Sequence, residues 1–189
     1  MEDVHARLGT YVKQAEQALM AAKSEALRPF DLTVAQYAAM LVLYYSPGQS
    51  SAQLARNAAV TPQTMTTILA RLESKKLIKR TPSKVHRKVL VTELTQAGEA
   101  LLLRADERAR AVEERLAGAF TAEEHAVARD LLSRIAAVLR GGDGADDADA
   151  DDDAVAGAGT ASVSSAGAEL SSEPLRGRAA RRESASRRR

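Results

Sequence analysis

Apolar positions recur along the first 140 residues with a helical period that is broken once by a short alternating stretch, and capping residues punctuate the helical runs. Val4, Leu8, Tyr11, Ala15, Ala18, Leu19, Ala22 and Ala26 fall on one side of a helix predicted from Val4 to Leu27. It ends at Arg28-Pro29, because the residue before a proline is pushed out of the helical region. Thr33 with Gln36 makes a capping box ahead of VAQYAAMLVLYYS, an apolar run that reads as a buried helix stopping near Pro47-Gly48. Ser50 with Gln53 repeats the box and opens a short helix whose Leu54 and Ala55 point inward. Thr61 then caps a further helix with Pro62 in its first turn, where no backbone N–H is missed. Met65, Ile68, Leu69 and Leu72 share its inner face and leave Gln63, Thr64, Thr67 and Arg71 on the outer one. Two short helices joined by a tight turn predict a helix-turn-helix.

Beyond Lys76 the period becomes two. Residues 77–81 and 88–94 read as strands joined by PSKVHRK, a basic β-hairpin, or wing. Thr95 caps a long helix predicted to about Phe120. Thr121 with Glu124 caps the last one, where Val127, Leu131, Ile135 and Val138 or Leu139 make an apolar stripe ending at Gly141-Gly142. The predicted fold class is mainly α with a small β wing, in one domain over residues 1–140, followed by a tail over 141–189. With two Phe and no Trp, one small core cannot use the apolar faces of both terminal helices as well as the central ones. Those helices are therefore expected to meet a second copy of the chain.

Charge sharpens this picture. Residues 1–140 hold 20 Lys and Arg against 15 Asp and Glu, net +5, while the tail holds 7 Arg against 10 Asp and Glu, net −3. Between residues 71 and 88 lie Arg71, Lys75, Lys76, Lys79, Arg80, Lys84, Arg87 and Lys88, with Glu73 the only carboxylate. An ordinary solvated surface mixes signs, so this excess points to phosphate affinity along one edge. The outer face of the 61–74 helix carries short hydroxyls and an amide beside an Arg, groups able to approach phosphates and base edges closely. The tail has seven Asp between Asp143 and Asp153 and seven Arg from Arg176 onward, and is expected to be disordered. Its Arg end could add nonspecific phosphate contacts for which the Asp block competes.

Other chemistry has little support. Glu113-Glu114 and Glu123-Glu124 are adjacent in sequence, so each pair points apart on a helix, and no nucleophile has a His nearby. His5, His86 and His125 are single and far apart, which disfavours a metal site, and no phosphate-binding Gly motif or other cofactor signature is present. The absence of Cys excludes thiolate metal binding and cysteine redox switching. No apolar run approaches membrane-spanning length and MEDVHARLGT lacks a signal peptide's features, so a cytoplasmic location is expected.

The order helix, helix, helix-turn-helix, wing, long helix, final helix, with LTxxQYxxL at 32–40 and VTELTQAGEAL at 91–101, resembles the MarR family of winged-helix transcriptional regulators over residues 5–140. The resemblance implies an obligate homodimer with interlocked N- and C-terminal helices, binding a palindromic double-stranded DNA operator. It also implies a recognition helix over 61–74, with Thr61, Pro62, Gln63, Thr64, Thr67 and Arg71 at the major groove or its flanking phosphates. The basic residues Lys79, Arg80, Lys84, Arg87 and Lys88 of the wing would add further contacts. Repression released by a small aromatic or anionic effector is implied too, with Tyr11, Tyr37, Tyr44 and Tyr45 as candidate lining residues. The sequence departs from the family pattern in two places. His86 and Lys88 stand where many relatives carry an Asp-x-Arg motif at the wing tip, leaving open whether Arg87 or Lys88 enters the minor groove. Lys76 stands where relatives commonly carry Gly, so it must either adopt a left-handed conformation or end the helix differently. An architectural DNA-binding protein, or a helical interaction module without DNA, would share parts of this pattern, and competition binding separates them.

Overall fold

The computed structural model describes residues 7–58, 60–83 and 89–141. Lys84, His86, Arg87 and Lys88 of the wing tip, His5 and the charged tail lie outside them. The elements are α1 (Leu8–Leu27), a 3-10 turn (Arg28–Phe30), α2 (Val34–Tyr45), β1 (Gln49–Ser50), α3 (Ser51–Asn57), α4 (Pro62–Ser74), β2 (Ile78–Pro82), β3 (Leu90–Leu94), α5 (Gln96–Ala117) and α6 (Ala122–Gly141). They fall into two compact units divided within α5, which over the described residues are 7–112 and 113–141.

Every α-helix start after α1 is held by the cap its sequence predicts. Thr33 Oγ1 accepts from the Gln36 N–H at 3.1 Å and Gln36 Oε1 accepts in return from the Thr33 N–H at 3.2 Å. Ser50 with Gln53, and Thr121 with Glu124, form the same reciprocal pair. These side chains satisfy donors that a helix N-terminus otherwise leaves bare. The core of the first unit joins Leu27, Met40, Leu43, Leu54, Met65, Leu69, Leu72 and Leu102, all fully buried. Four come from the helix-turn-helix, so burial rather than surface chemistry fixes the rotation of α4.

The structure departs from the expected pattern at two of these elements. The β-sheet has three strands, in the order β1-β3-β2, because Gln49 and Ser50 pair antiparallel with Thr92 and Val91. The long helix stops at Ala117 rather than near Phe120: the Gly118 N–H still bonds the Glu114 carbonyl, but Ala119 and Phe120 make only three-residue turns. On α1 only Leu27 is buried, and Leu8, Tyr11, Ala15 and Ala18 of the predicted apolar face are exposed within one copy of the chain, the face expected to be left for a second copy.

The exit from α4 answers the question posed by Lys76. Its φ is 59°, so it takes the left-handed conformation despite its Cβ. The Lys76 N–H bonds the Glu73 carbonyl at 2.8 Å and the Leu77 N–H bonds the Leu72 carbonyl at 3.0 Å, the paired arrangement of a Schellman cap. Buried Leu72 and Leu77 supply the apolar residues that usually accompany such a cap. The start of α5 docks directly on this turn. Thr95 Oγ1 donates to the Lys76 carbonyl at 2.8 Å and accepts from the Gly98 N–H at 3.0 Å, while the Thr95 N–H bonds the Leu77 carbonyl at 3.0 Å. A Cβ on Gly98 would lie 2.9 Å from the Leu77 carbonyl carbon and closer still to its oxygen. The Leu-Thr-x-x-Gly sequence at 94–98 is therefore a close-approach joint between the recognition helix and the long helix.

Two substitutions here have opposite expected effects, measured by urea unfolding at fixed protein concentration. Gly98→Ala lowers stability by about 2 kcal/mol or more, since rigid backbone must move. Lys76→Gly raises it by about 1 kcal/mol by removing the left-handed penalty.

Candidate nucleic-acid interface

Helix α4 is built to offer one face outward. Thr61 Oγ1 accepts from the Thr64 N–H at 3.1 Å and Pro62 occupies the first turn. Met65, Ile68, Leu69 and Leu72 are buried as the spacing predicts. Thr61, Pro62, Gln63, Thr64, Thr67 and Arg71 are all exposed on the same helix or its cap. Beside α4 stands the hairpin, with Lys79 opposite Glu93, Arg80 opposite Thr92 and Pro82 opposite Leu90. The Ser83 N–H bonds the Val89 carbonyl at 2.8 Å just below the tip. Pro82 is accommodated because β2 is an edge strand.

The cations counted along residues 71–88 do not all have the same standing. Arg80 is half-buried and grips Glu73 through both Nε, at 2.9 Å, and Nη2. Hydrogen bonding from Arg80 holds the Glu73 carboxyl below its usual range, and the same bonds raise the guanidinium's pKa. Arg80 thus ties the wing to the recognition helix and neutralises the one carboxylate on α4. Lys79 pairs with Glu93 across the hairpin at 3.1 Å but stays more than half exposed. Lys75 reaches back to Asp31, pairing with its carboxylate at 2.9 Å and bonding its carbonyl oxygen. Arg71 and Lys76 have no ion pair among the described residues. Asp31 and Glu93 were not singled out in the sequence. Glu93 becomes legible only once the hairpin register is known, and Asp31 lies 44 positions from its partner.

The four tyrosines are not brought together in one site. Tyr11 on α1 is 58% exposed, while Tyr44 on α2 is 3% exposed and packs edge-on against Tyr45 with ring centroids 5.6 Å apart. The Tyr37 hydroxyl donates to Asp106 Oδ1 on α5 at 2.7 Å. Asp106 is only 7% exposed. Burial pushes its carboxyl up; the Tyr37 hydrogen bond and the Arg110 charge oppose this, while Glu107 reinforces it. A cavity of about 590 Å³ opens instead where the end of α1 and the start of α2 face the last turn of α4. Arg28, Arg71, Lys75, Ser24 and Gln36 are among its lining residues, and no tyrosine is. Asp106 was not marked in the sequence, and Arg71, Lys75 and Gln36, singled out there for other roles, converge on this cavity only through helix packing.

A helix-turn-helix with a carboxylate-neutralised outer face, backed by a basic antiparallel wing, defines a winged-helix DNA-binding regulator. The family model of the MarR family matches residues 30–88. The HTH-type transcriptional repressor Rv2887 of Mycobacterium tuberculosis is 35% identical over 130 residues, spanning 69% of this chain and 94% of that protein. The chain belongs to the MarR family of transcriptional regulators. The transcriptional regulator HosA of Escherichia coli is 30% identical over 105 residues, 56% of this chain and 78% of its own length. Among solved structures, the transcriptional repressor CouR bound to a 23-mer DNA duplex aligns with a TM-score of 0.66 at 26% identity, covering 72% of this chain and 96% of that one. Rv2887 in complex with salicylic acid aligns with a TM-score of 0.55 at 35% identity, covering 71% and 98%.

The buried Tyr37–Asp106 contact predicts a pH signature. A carboxyl whose folded pKa lies above its ordinary 3.8 binds protons more tightly when folded. Its contribution to stability is present at low pH and declines as pH rises from 3.8 through the raised value. In urea unfolding across the acidic range, Asp106→Asn should lack that decline, and an identical slope in both proteins would count against it.

Proposed function

We propose that this chain is a cytoplasmic repressor that acts by binding, not by catalysis, as a homodimer on a palindromic operator, with one α4 in each of two major-groove half-sites. The observation that carries this reading is the outer face of α4, whose only carboxylate is held by Arg80. Arg71 serves at the groove edge. Lys79, Lys84, Arg87 and Lys88 contribute phosphate attraction, and Arg80 acts first as the brace between wing and helix. Dimerisation is supported by Leu116, Phe120, Val127, Leu131, Leu132, Val138 and Leu139 in the second unit and by Leu8 and Tyr11 on α1, all exposed in one copy. The described residues include no helix long and apolar enough to cross a membrane.

Operator selection from random DNA should yield a palindrome preferred about a thousandfold or more over bulk DNA. An architectural protein would show far less preference, and a pure interaction module would not bind. Arg71→Ala should cost about 1–3 kcal/mol of operator binding and relax base preference, whereas Lys79→Ala should weaken all sequences alike and lower the salt slope by about one.

The effector class we propose is a small aromatic carboxylate, by likeness to Rv2887, whose structures include complexes with salicylic and p-aminosalicylic acids. Such a ligand can release the operator only by binding the DNA-free conformation more tightly. A thermal-shift screen of aromatic carboxylates should give a hit that also weakens operator binding; hits that leave operator affinity unchanged would remove the idea.

A further inference from the structure

Three of the hydroxyls on α4 are already spent as donors to their own helix. Thr66 Oγ1 donates to the Pro62 carbonyl at 2.8 Å, Thr67 Oγ1 to the Gln63 carbonyl at 3.2 Å and Ser74 Oγ to the Arg71 carbonyl at 2.8 Å. Thr61 and Thr64 share one hydroxyl–hydroxyl bond at 2.8 Å, with Thr61 also accepting from the Thr64 backbone. A hydroxyl turned back onto its own helix leaves the threonine methyl, and at most an acceptor lone pair, for whatever approaches from outside.

Gln63, Thr67 and Ala70 follow one another at i, i+4 and i+7, all exposed, directly opposite the buried Met65, Ile68, Leu69 and Leu72. The centre of the outward face is therefore an amide followed by two methyl groups. Gln63's amide has no hydrogen-bond partner among the described residues, so both its donor and its acceptor are available. In the major groove an amide matches the N6 and N7 edge of adenine, while a methyl from Thr or Ala finds its complement in the 5-methyl group of thymine. Guanine and cytosine offer no such methyl, and their best partners are charged side chains. Arg71, on the flank of this stripe, is the nearest such group on α4.

We propose that the Gln63–Thr67–Ala70 stripe selects A·T base pairs at the centre of each half-site, with Gln63 reading adenine and the methyls of Thr67 and Ala70 reading thymine. This rests on α4 entering the major groove as proposed above, and it adds which bases are chosen and by which atoms.

The test uses the full 189-residue chain. An operator is selected from random DNA and then resynthesised with each thymine in turn replaced by deoxyuridine, which deletes only the 5-methyl group. Affinity should fall about fourfold for each methyl contacted. That thymine-to-uracil ratio should collapse to one in Thr67→Ser at the position Thr67 touches, and persist in Thr67→Val, which keeps the methyl without the hydroxyl. Replacing the contacted adenine by 7-deazaadenine should cost about tenfold in the parent and nothing further in Gln63→Ala. A selected operator that is indifferent to uracil, or a ratio that survives in Thr67→Ser and is lost in Thr67→Val, overturns the proposal while leaving the regulator reading intact. Failure to select any operator overturns both.

Discussion

The close approach of Gly98 to the Leu77 backbone sets the position of nearly everything that matters for binding. Residue 77 follows the left-handed cap of α4 and precedes β2, while residue 98 lies in the first turn of α5. Contact without an intervening side chain lets the Thr95 hydroxyl bridge the Lys76 carbonyl and the Gly98 N–H in one step. The recognition helix, the wing strands and the long helix therefore share a joint made of backbone, whose position does not depend on the rotamers of long side chains.

Around that joint the ionic groups divide into those that shape the reading head and those left over. Arg80 and Lys75 are engaged, one holding wing to helix and the other holding the end of α4 to the loop before α2. The partly buried Arg80–Glu73 pair and the exposed Lys75–Asp31 pair both contribute orientation more than stability. What remains on the outer surface of α4 is a neutral strip with Arg71 at its side. The count of basic residues in the sequence thus overstates the charge offered to a polyanion and understates how firmly the helix is held.

Local signals in the sequence were legible because their causes are local. Thr33 with Gln36, Ser50 with Gln53 and Thr61 with Pro62 each act within one turn, and the inward rotation of Met65, Ile68, Leu69 and Leu72 follows from helical period alone. The β1 strand was not legible: two residues carry no alternation, and their pairing with Thr92 and Val91 depends on chain 43 and 41 positions away. The same limit explains Arg80, taken from charge alone as a phosphate contact, whose bond to Glu73 exists only because β2 returns alongside α4. The tyrosines named as candidate lining residues came from the family resemblance rather than from any local pattern; three of the four share α2, and the hydroxyl of Tyr37 serves Asp106. The cavity beside α4 is assembled mainly from polar residues of three segments, and no local pattern along the chain signals that they converge.

Lys76 places two demands on one position. Its backbone sits where glycine would be relaxed, yet its ammonium lies at the carboxyl end of α4, where the helix dipole concentrates partial negative charge and a cation is favoured. Drift toward glycine would ease the chain while thinning the positive field at the basic edge. Backbone ease and attraction to a polyanion therefore make opposite demands on this one residue, and lysine serves the second at the expense of the first.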